Sequence, residues 1–154
     1  MQKALSVIML LMVGMGSAQA AEKMQITRNG EQKAITGSDK VFTGISIVSP
    51  LVSPNEHSNV SAANVTFAPG ARSAWHTHPA GQFLVVSDGT GYVQQWGEPK
   101  QVIKAGDVIW TPPGVKHWHG ATESTSMTHM AIQQRVEGKN VVWGEKVSDE
   151  QYNQ

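Results

Sequence analysis

Short stretches of alternating apolar and polar residues, separated by turn-forming residues, constrain the fold of this chain more than any other feature. Glycine, proline and aspartate mark turns at residues 68–70, 87–89, 104–107 and 112–114. Strands of this length and spacing are typical of an all-β sandwich or barrel. We therefore predict a single all-β domain with a jelly-roll-like β-barrel.

The apolar periodicity places nine strands between these turns, and one short helix follows at the end of the chain. Ser148 and Gln151 have the spacing of a capping box, which predicts a helix over residues 149–152. The predicted strands span residues 41–48, 59–67, 72–77, 82–87, 91–96, 101–103, 107–110, 117–120 and 126–133.

The first twenty residues have the pattern of a secretory signal peptide. Lys3 provides a basic start, residues 4–13 are almost uninterruptedly apolar, and Ala18 and Ala20 form an A-x-A cleavage signal. The apolar run is shorter than the ~20 residues that a membrane-spanning helix needs. We expect cleavage after Ala20, export to the periplasm or beyond, and a mature domain of residues 21–154 that makes no membrane contact.

The composition narrows the classes of function. The chain has 12 basic and 12 acidic residues, so removing Lys3 leaves eleven against twelve, a net charge of about −1. A near-neutral domain lacks the basic face that nucleic acids and anionic membranes require. The chain has no cysteine, which excludes disulfides, thiolate catalysis and cysteine-ligated metals.

Five of the six histidines lie between residues 76 and 129 and are spaced for one site. His76 and His78 are two residues apart, as are His117 and His119, so each pair shares a face of its strand. On the last predicted strand, His129 shares a face with Gln133. Imidazoles that converge in this way are typical ligands of a transition metal, and the mouth of a β-barrel is a common place for a small-molecule site.

The spacing of these residues resembles the two sequence motifs of the cupin superfamily. In the first motif, a glycine precedes a His-x-His pair, a further ligand and a closing glycine; in the second, Gly-x5-Pro-x-Gly-x2-His ends on a histidine. This sequence departs from the usual pattern in having glutamine where the ligand is commonly glutamate. The matching residues are Gly70, His76, His78, Gln82 and Gly89, followed by Gly106, Pro112, Gly114 and His117.

The resemblance extends to the small bacterial cupins that include manganese-dependent hydroxynitrile lyases. It implies one divalent metal ion, with manganese favoured and iron, cobalt, nickel or zinc as alternatives, and a homodimer or homotetramer. It implies His119, His129 and Gln133 as pocket residues that act on a small-molecule substrate. The metal ligands that it implies are His76, His78, Gln82 and His117.

The donor set favours Lewis-acid chemistry. Three neutral imidazoles and an amide oxygen leave the charge of a divalent ion uncompensated, so the ion strongly polarises a bound hydroxyl or carbonyl oxygen. His129 or His119 would accept the proton, and Gln133 would hold a leaving group by hydrogen bonding. We expect a metal-dependent lyase that cleaves or forms cyanohydrins. A metal-dependent dioxygenase and a non-enzymatic exported binding protein remain the alternatives.

Overall fold

The computed structural model describes residues 23–154, which form twelve strands and one helix. All strand pairs are antiparallel, and the predicted all-β fold with a short C-terminal helix is confirmed. The predicted signal peptide, residues 1–20, lies outside the described residues. The elements are β1 (Ile35–Thr36), β2 (Phe42–Thr43), β3 (Ser46–Val52), β4 (Val60–Phe67), β5 (Arg72–Ser73), β6 (His76–Thr77), β7 (Gln82–Gln95), β8 (Gln101–Lys104), β9 (Val108–Thr111), β10 (His117–Ala121), β11 (Met127–Gln134), β12 (Val142–Trp143) and α1 (Asp149–Asn153).

One long strand, β7, joins the two sides of the barrel. Its first half pairs with β11 and β9, and its second half pairs with β10 and β8. The sequence predicted two strands here, 82–87 and 91–96, with a turn at 87–89; that prediction is wrong. Instead, the register with β11 shifts between Thr128 and His129, and Ser87 is left as an extra residue. Such a bulge increases the local twist and lets one strand cross between the sheets.

Two predicted strands are interrupted where the chain bends. Residues 41–48 form β2 and β3 with Gly44 between them, and this glycine has a φ of 76°, a left-handed conformation that glycine adopts without strain. Residues 72–77 form β5 and β6 rather than one strand. The break occurs at Ala74 and Trp75, whose backbone N–H groups donate to the carbonyls of Val41 and Glu145 instead of to a neighbouring strand.

Alternation along the strands separates two apolar cores. Inside the barrel, Phe67, Val86 and Met127 pack together with buried neighbours. Outside it, Trp118 points away from its neighbours on β10 and packs with Tyr152 of α1. Both faces of β10 are therefore buried, which fixes the strand that carries two of the histidines.

The C-terminal helix is held in place by its predicted capping box and by bonds to the barrel. The Ser148 side chain accepts from the Gln151 backbone N–H, and the Gln151 side chain accepts from the Ser148 N–H. The Tyr152 hydroxyl donates to the Ala121 carbonyl at 2.8 Å, which ties α1 to β10. Within residues 23–154, no helix has the length and apolar character required to cross a bilayer.

Candidate functional site

Strand pairing brings three imidazoles together inside the barrel. His117 and His119 lie on the same face of β10, and His76 on β6 is the register partner of His117. The His76 ring centroid lies 4.3 Å from that of His117 and 5.1 Å from that of His119. The candidate metal-binding atoms of these three side chains lie within 4.8 Å of one another, and all three residues are buried.

Backbone carbonyls fix the tautomer of three histidines. The Nδ1 atoms of His76, His78 and His117 lie 2.9, 2.5 and 2.9 Å from the carbonyl oxygens of residues 74, 140 and 115. A carbonyl oxygen only accepts, so each Nδ1 carries the hydrogen and each Nε2 keeps its lone pair. A histidine that binds a metal through one ring nitrogen commonly donates the N–H of its other ring nitrogen to a carbonyl in this way.

Burial keeps these imidazoles neutral. Burial, helped by neighbouring histidines, lowers the pKa of His76 well below its usual value and that of His117 to about 4. The pKa of His78 is also lowered, chiefly by burial. At neutral pH the three rings therefore present uncharged nitrogen lone pairs, which is the form that binds a metal ion.

Gln82 completes this group from β7. Its Oε1 lies 3.1 Å from Nε2 of His117, and its Nε2 donates to Oε1 of Gln133 at 3.2 Å. His117 carries its hydrogen on Nδ1, which donates to the Val115 carbonyl. Its Nε2 and the Gln82 Oε1, 3.1 Å apart, are therefore both acceptors. A cation beside them would relieve this repulsion, so the pair has the chemistry of a metal site.

His119 and His129 form a second, deeper pair. Nε2 of His129 lies 3.0 Å from Nδ1 of His119, and both side chains are buried against the Phe67 ring. Burial lowers the pKa of His119 well below its usual value and that of His129 to about 4, so one neutral ring donates to the other. The His119 Nε2 atom is buried with no hydrogen-bond partner among residues 23–154.

A cavity of about 320 Å³ opens beside the imidazoles. His119 and Gln133 belong to its wall, whereas His129 lies behind His119. Trp143 on β12 packs over His76, with ring centroids 4.9 Å apart, and meets Phe42 edge-on at 5.8 Å. The wall is otherwise largely apolar. Its residues are Phe42, Val48, Pro50, Val52, Ser61, Ala62, Ala63, Val65, His76, His78, Gln82, His119, Ala131, Gln133, Asn140, Val141 and Trp143.

Comparison with known proteins agrees with this architecture. Residues 63–132 match the family described as "Cupin domain". A relative named (R)-mandelonitrile lyase, from Granulicella tundricola, is 50% identical over 84% of this chain and 98% of its own length. The chain belongs to the cupin family. The predicted resemblance to the cupins is therefore confirmed, and the matched region contains the motif residues from Gly70 to His117.

Solved structures extend the likeness to the cupin fold as a whole. A cupin-like protein from Thermotoga maritima shares 38% identity, covering 84% of this chain and 96% of its own, with a TM-score of 0.72. A predicted oxalate decarboxylase from the same organism shares 23% identity over 73% of this chain and its full length, with a TM-score of 0.65. At that level of identity, the second likeness shows the fold alone.

The residues of this cupin fit one divalent metal ion. Gln82 Oε1 and His117 Nε2 face each other as two acceptors. Nε2 of His78 is in addition buried with no hydrogen-bond partner among the described residues. Buried polar atoms are rarely left unpaired without a ligand, water or ion to satisfy them. Neutral nitrogen and oxygen donors suit manganese, iron, cobalt, nickel or zinc.

The structure brings all seven predicted site residues to one place, but it groups them differently from the motif. His119, predicted as a pocket residue, belongs to the closest group of three imidazoles, whereas His78, predicted as a ligand, does not. The predicted ligand set of His76, His78, Gln82 and His117 stays a prediction, as do the catalytic roles of His119, His129 and Gln133.

Sequence reasoning did not single out Ser61, Asn140 or Trp143, each of which contacts the site. The carbonyl of Asn140 accepts from His78, and its side chain donates to Ser61. Trp143 pairs with His76 across β12 and β6. No local motif marks these positions, because contacts between residues far apart in the chain bring them to the site. Asn140 lies in the segment before β12 and Trp143 lies on β12 itself. A signal exists only for Ser61, which the alternation of β4 places on the interior face.

Proposed function

We propose that this chain is a metal-dependent hydroxynitrile lyase that interconverts a cyanohydrin with an aldehyde and hydrogen cyanide. The observation that carries the proposal is the buried, unpartnered His119 Nε2 in the wall of a largely apolar cavity beside the candidate metal centre. The identity of 50% to an (R)-mandelonitrile lyase across nearly all of that protein supports the same reaction.

The apolar wall of the cavity would bind the organic part of the substrate. Phe42 and Trp143 offer aromatic edges and faces, and Val48, Val52 and Val65 add aliphatic side chains to the wall. An aryl group gains both area burial and ring contacts in such a pocket. The hydroxyl and nitrile groups are then directed toward the polar side, where the imidazoles and amides lie.

The candidate metal centre would supply the acidity that the reaction needs. His76, His78, Gln82 and His117 would hold one divalent ion, which we propose to be manganese, and His119 is the alternative imidazole ligand. A divalent ion at this position would act as a Lewis acid that lowers the pKa of an adjacent hydroxyl group. The protein contributes neutral donors only, so it leaves the charge of the ion uncompensated.

In this mechanism His119 would move the proton. Its ring belongs to the cavity wall, its Nε2 has no hydrogen-bond partner among residues 23–154, and burial keeps it neutral, so it can accept the hydroxyl proton. As His119 becomes positively charged, its Nδ1–H donates to Nε2 of His129, 3.0 Å away. His129 therefore acts through His119: it orients the ring and stabilises its charged form.

The carbon–carbon bond breaks as the proton leaves. The electron pair of the O–H bond forms the carbonyl double bond, and the pair of the carbon–nitrile bond leaves with cyanide. His119 then returns the proton from Nε2 to cyanide, which releases hydrogen cyanide and restores the neutral ring. The apolar wall limits the access of water to the cavity, which protects the aldehyde from hydration.

The test combines metal analysis with assays in air and under nitrogen. Purified protein is analysed for bound metals, then assayed with (R)- and (S)-mandelonitrile and with small diketones. We expect bound manganese and cleavage of mandelonitrile at equal rates with and without oxygen. Turnover only in air would indicate a dioxygenase, and tight ligand binding without turnover would indicate a binding protein; either result would contradict the proposal.

We also propose that the protein is exported and forms a homo-oligomer. The pattern of residues 1–20 supports export to the periplasm or beyond. On the outer surface, Phe83 and Trp110 stack with centroids 4.5 Å apart while 45% and 48% of their surfaces stay exposed. Exposed aromatic pairs favour association. Light scattering of the purified protein would measure the oligomeric state, and a monomer at micromolar concentration would contradict the proposed homo-oligomer.

A further inference from the structure

A chain of hydrogen bonds crosses the cavity wall and is centred on the Ser61 hydroxyl. Ser61, Gln133 and Gln82 are register partners on three neighbouring strands, so their side chains form a row on the interior face. The Ser61 Oγ lies 3.2 Å from the Gln133 carbonyl oxygen, 3.4 Å from the Gln133 Nε2 and 3.1 Å from the Asn140 Nδ2.

The direction of these bonds follows from the chemistry of the groups. A carbonyl oxygen only accepts, so Ser61 gives its single hydrogen to the Gln133 backbone. Ser61 can then only accept from the two amides, and each must turn its NH₂ group toward Oγ. The Gln133 Oε1 consequently points at Gln82, so the Gln82 NH₂ group must donate to it. This leaves the Gln82 Oε1 facing His117.

We propose that the Ser61 hydroxyl sets the orientation of the Gln82 amide and thereby decides that oxygen, not nitrogen, faces the metal centre. The two ends of an amide have nearly the same shape, so packing alone does not distinguish them. An NH₂ group turned toward the imidazoles has no lone pair to offer an ion. Ser61 is thus a positioning residue that acts on Gln82 through Gln133.

The same hydroxyl reaches the opposite side of the centre. Asn140 donates to Ser61 from its side chain and accepts from His78 through its backbone carbonyl. Ser61 therefore supports two of the proposed ligands, one through each amide. Removing a residue that holds a metal ligand by a hydrogen bond commonly lowers metal affinity by roughly 10–100-fold.

The inference rests on the metal centre of the proposed function, and its test does not require turnover. The dissociation constant of Mn²⁺ is measured on the full mature chain by equilibrium dialysis, first for wild type and then for Ser61→Ala. We expect affinity to fall roughly 10–100-fold. Ser61→Cys has a slightly larger side chain that hydrogen-bonds weakly, so it should act in the same direction.

The matched control is Ser87→Ala. The Ser87 Oγ also donates to a backbone carbonyl of β11, that of Thr128 at 3.2 Å, but it lies on the exposed surface. This variant removes the same kind of bond without touching the network, and we expect wild-type affinity. Thermal melting of the metal-free proteins shows whether each variant is folded.

The decisive arm places Ser61→Ala in a Gln82→Glu background. A carboxylate has oxygen at both positions, so it has no orientation to set. We expect the loss of affinity caused by Ser61→Ala to be smaller in that background, because only the support of His78 through Asn140 is then still lost. Wild-type affinity in Ser61→Ala, or an equal loss in both backgrounds, would overturn the inference. If these affinities change as expected while the wild type has no lyase activity, the inference stands and the proposed function fails.

Discussion

The histidines of the site differ in what holds their Nδ1 atoms. His76, His78 and His117 each donate to a backbone carbonyl, whereas His119 faces another imidazole. We predict that alanine at any of the first three positions abolishes metal retention, and that His119→Ala keeps the metal and loses turnover. Elemental analysis after dialysis measures retention. Metal loss in His119→Ala as complete as in His76→Ala would move His119 into the ligand set.

His129 is predicted to affect turnover without affecting the metal. It lies behind His119, is fully buried and contacts Nδ1 of that ring. His129→Ala should retain the metal, and turnover should fall by roughly 10–100-fold, because His119 loses the partner that orients it and stabilises its charge. Steady-state kinetics of the metal-loaded variant test this, with exposed His57→Ala as a control. Wild-type turnover in His129→Ala would remove His129 from the mechanism.

A negative charge at position 82 should raise metal affinity and lower lyase turnover. Gln82→Glu adds a negative charge beside three neutral imidazoles, so a divalent ion should bind more tightly. The same charge partly cancels that of the ion, so a substrate hydroxyl becomes less acidic and lyase turnover should fall. Any oxygen-dependent side activity should grow.

The two measurements on Gln82→Glu test separate statements. Affinity comes from titration with Mn²⁺, and turnover from assays at saturating metal. If neither changed, Gln82 would not contact the ion. If lyase turnover rose, the Lewis-acid argument would be wrong even though the ligand assignment survived.

At the scale of the elements, β7 depends on the conformation of Gly89. This residue has a φ of 73°, and an added Cβ would overlap the Ser126 carbonyl oxygen. Gly89→Ala should therefore lower the free energy of unfolding by several kcal/mol, since both backbone strain and a steric clash disfavour it. Gly97→Ala is the matched control: its φ is 82°, but the added Cβ meets no atom within 4 Å. It should cost only the strain, about 1 kcal/mol.

Chemical denaturation of the metal-free proteins would measure both glycine variants. Equal losses at Gly89 and Gly97 would show that the close approach of β7 to Ser126 does not limit the substitution. A clearly larger loss at Gly89 than at Gly97 would locate the constraint in the crossing of β7 between the two sides of the barrel.

At the scale of the whole molecule, the buried histidines should make the metal-free protein sensitive to acid. Burial lowers the pKa of His117 and His129 to about 4 in the folded state, against about 6.5 in the unfolded chain. Between these values the unfolded chain binds more protons, so acid favours unfolding. The contribution to stability is complete above pH 6.5 and is lost as the pH falls toward 4, at up to ~1.4 kcal/mol per pH unit for each group.

Urea denaturation at pH 7.5 and pH 5 would test this dependence. His129→Phe removes one of the groups, so its stability should fall less steeply with acid than that of the wild type. Equal stability of the wild type at both pH values would contradict the assignment of these rings as neutral in the folded protein.

The sequence alone determined the parts of this protein that depend on local spacing. Period-two alternation put His117 and His119 on one face with Trp118 opposite, and the structure has this arrangement. The Ser148 capping box predicted α1, and it is present. Each of these inferences uses residues within a few positions of one another, where strand and helix geometry fixes the directions of side chains.

Only the tertiary structure decided how those parts meet. The bulge at Ser87 depends on the register of β7 against β11, and the tautomer of His78 depends on a carbonyl 62 residues away. The orientation of the Gln82 amide follows from Gln133 and Ser61 on other strands. Strand pairing creates these contacts between residues distant in the chain, and alternation states which face a side chain takes but not which partner it finds there.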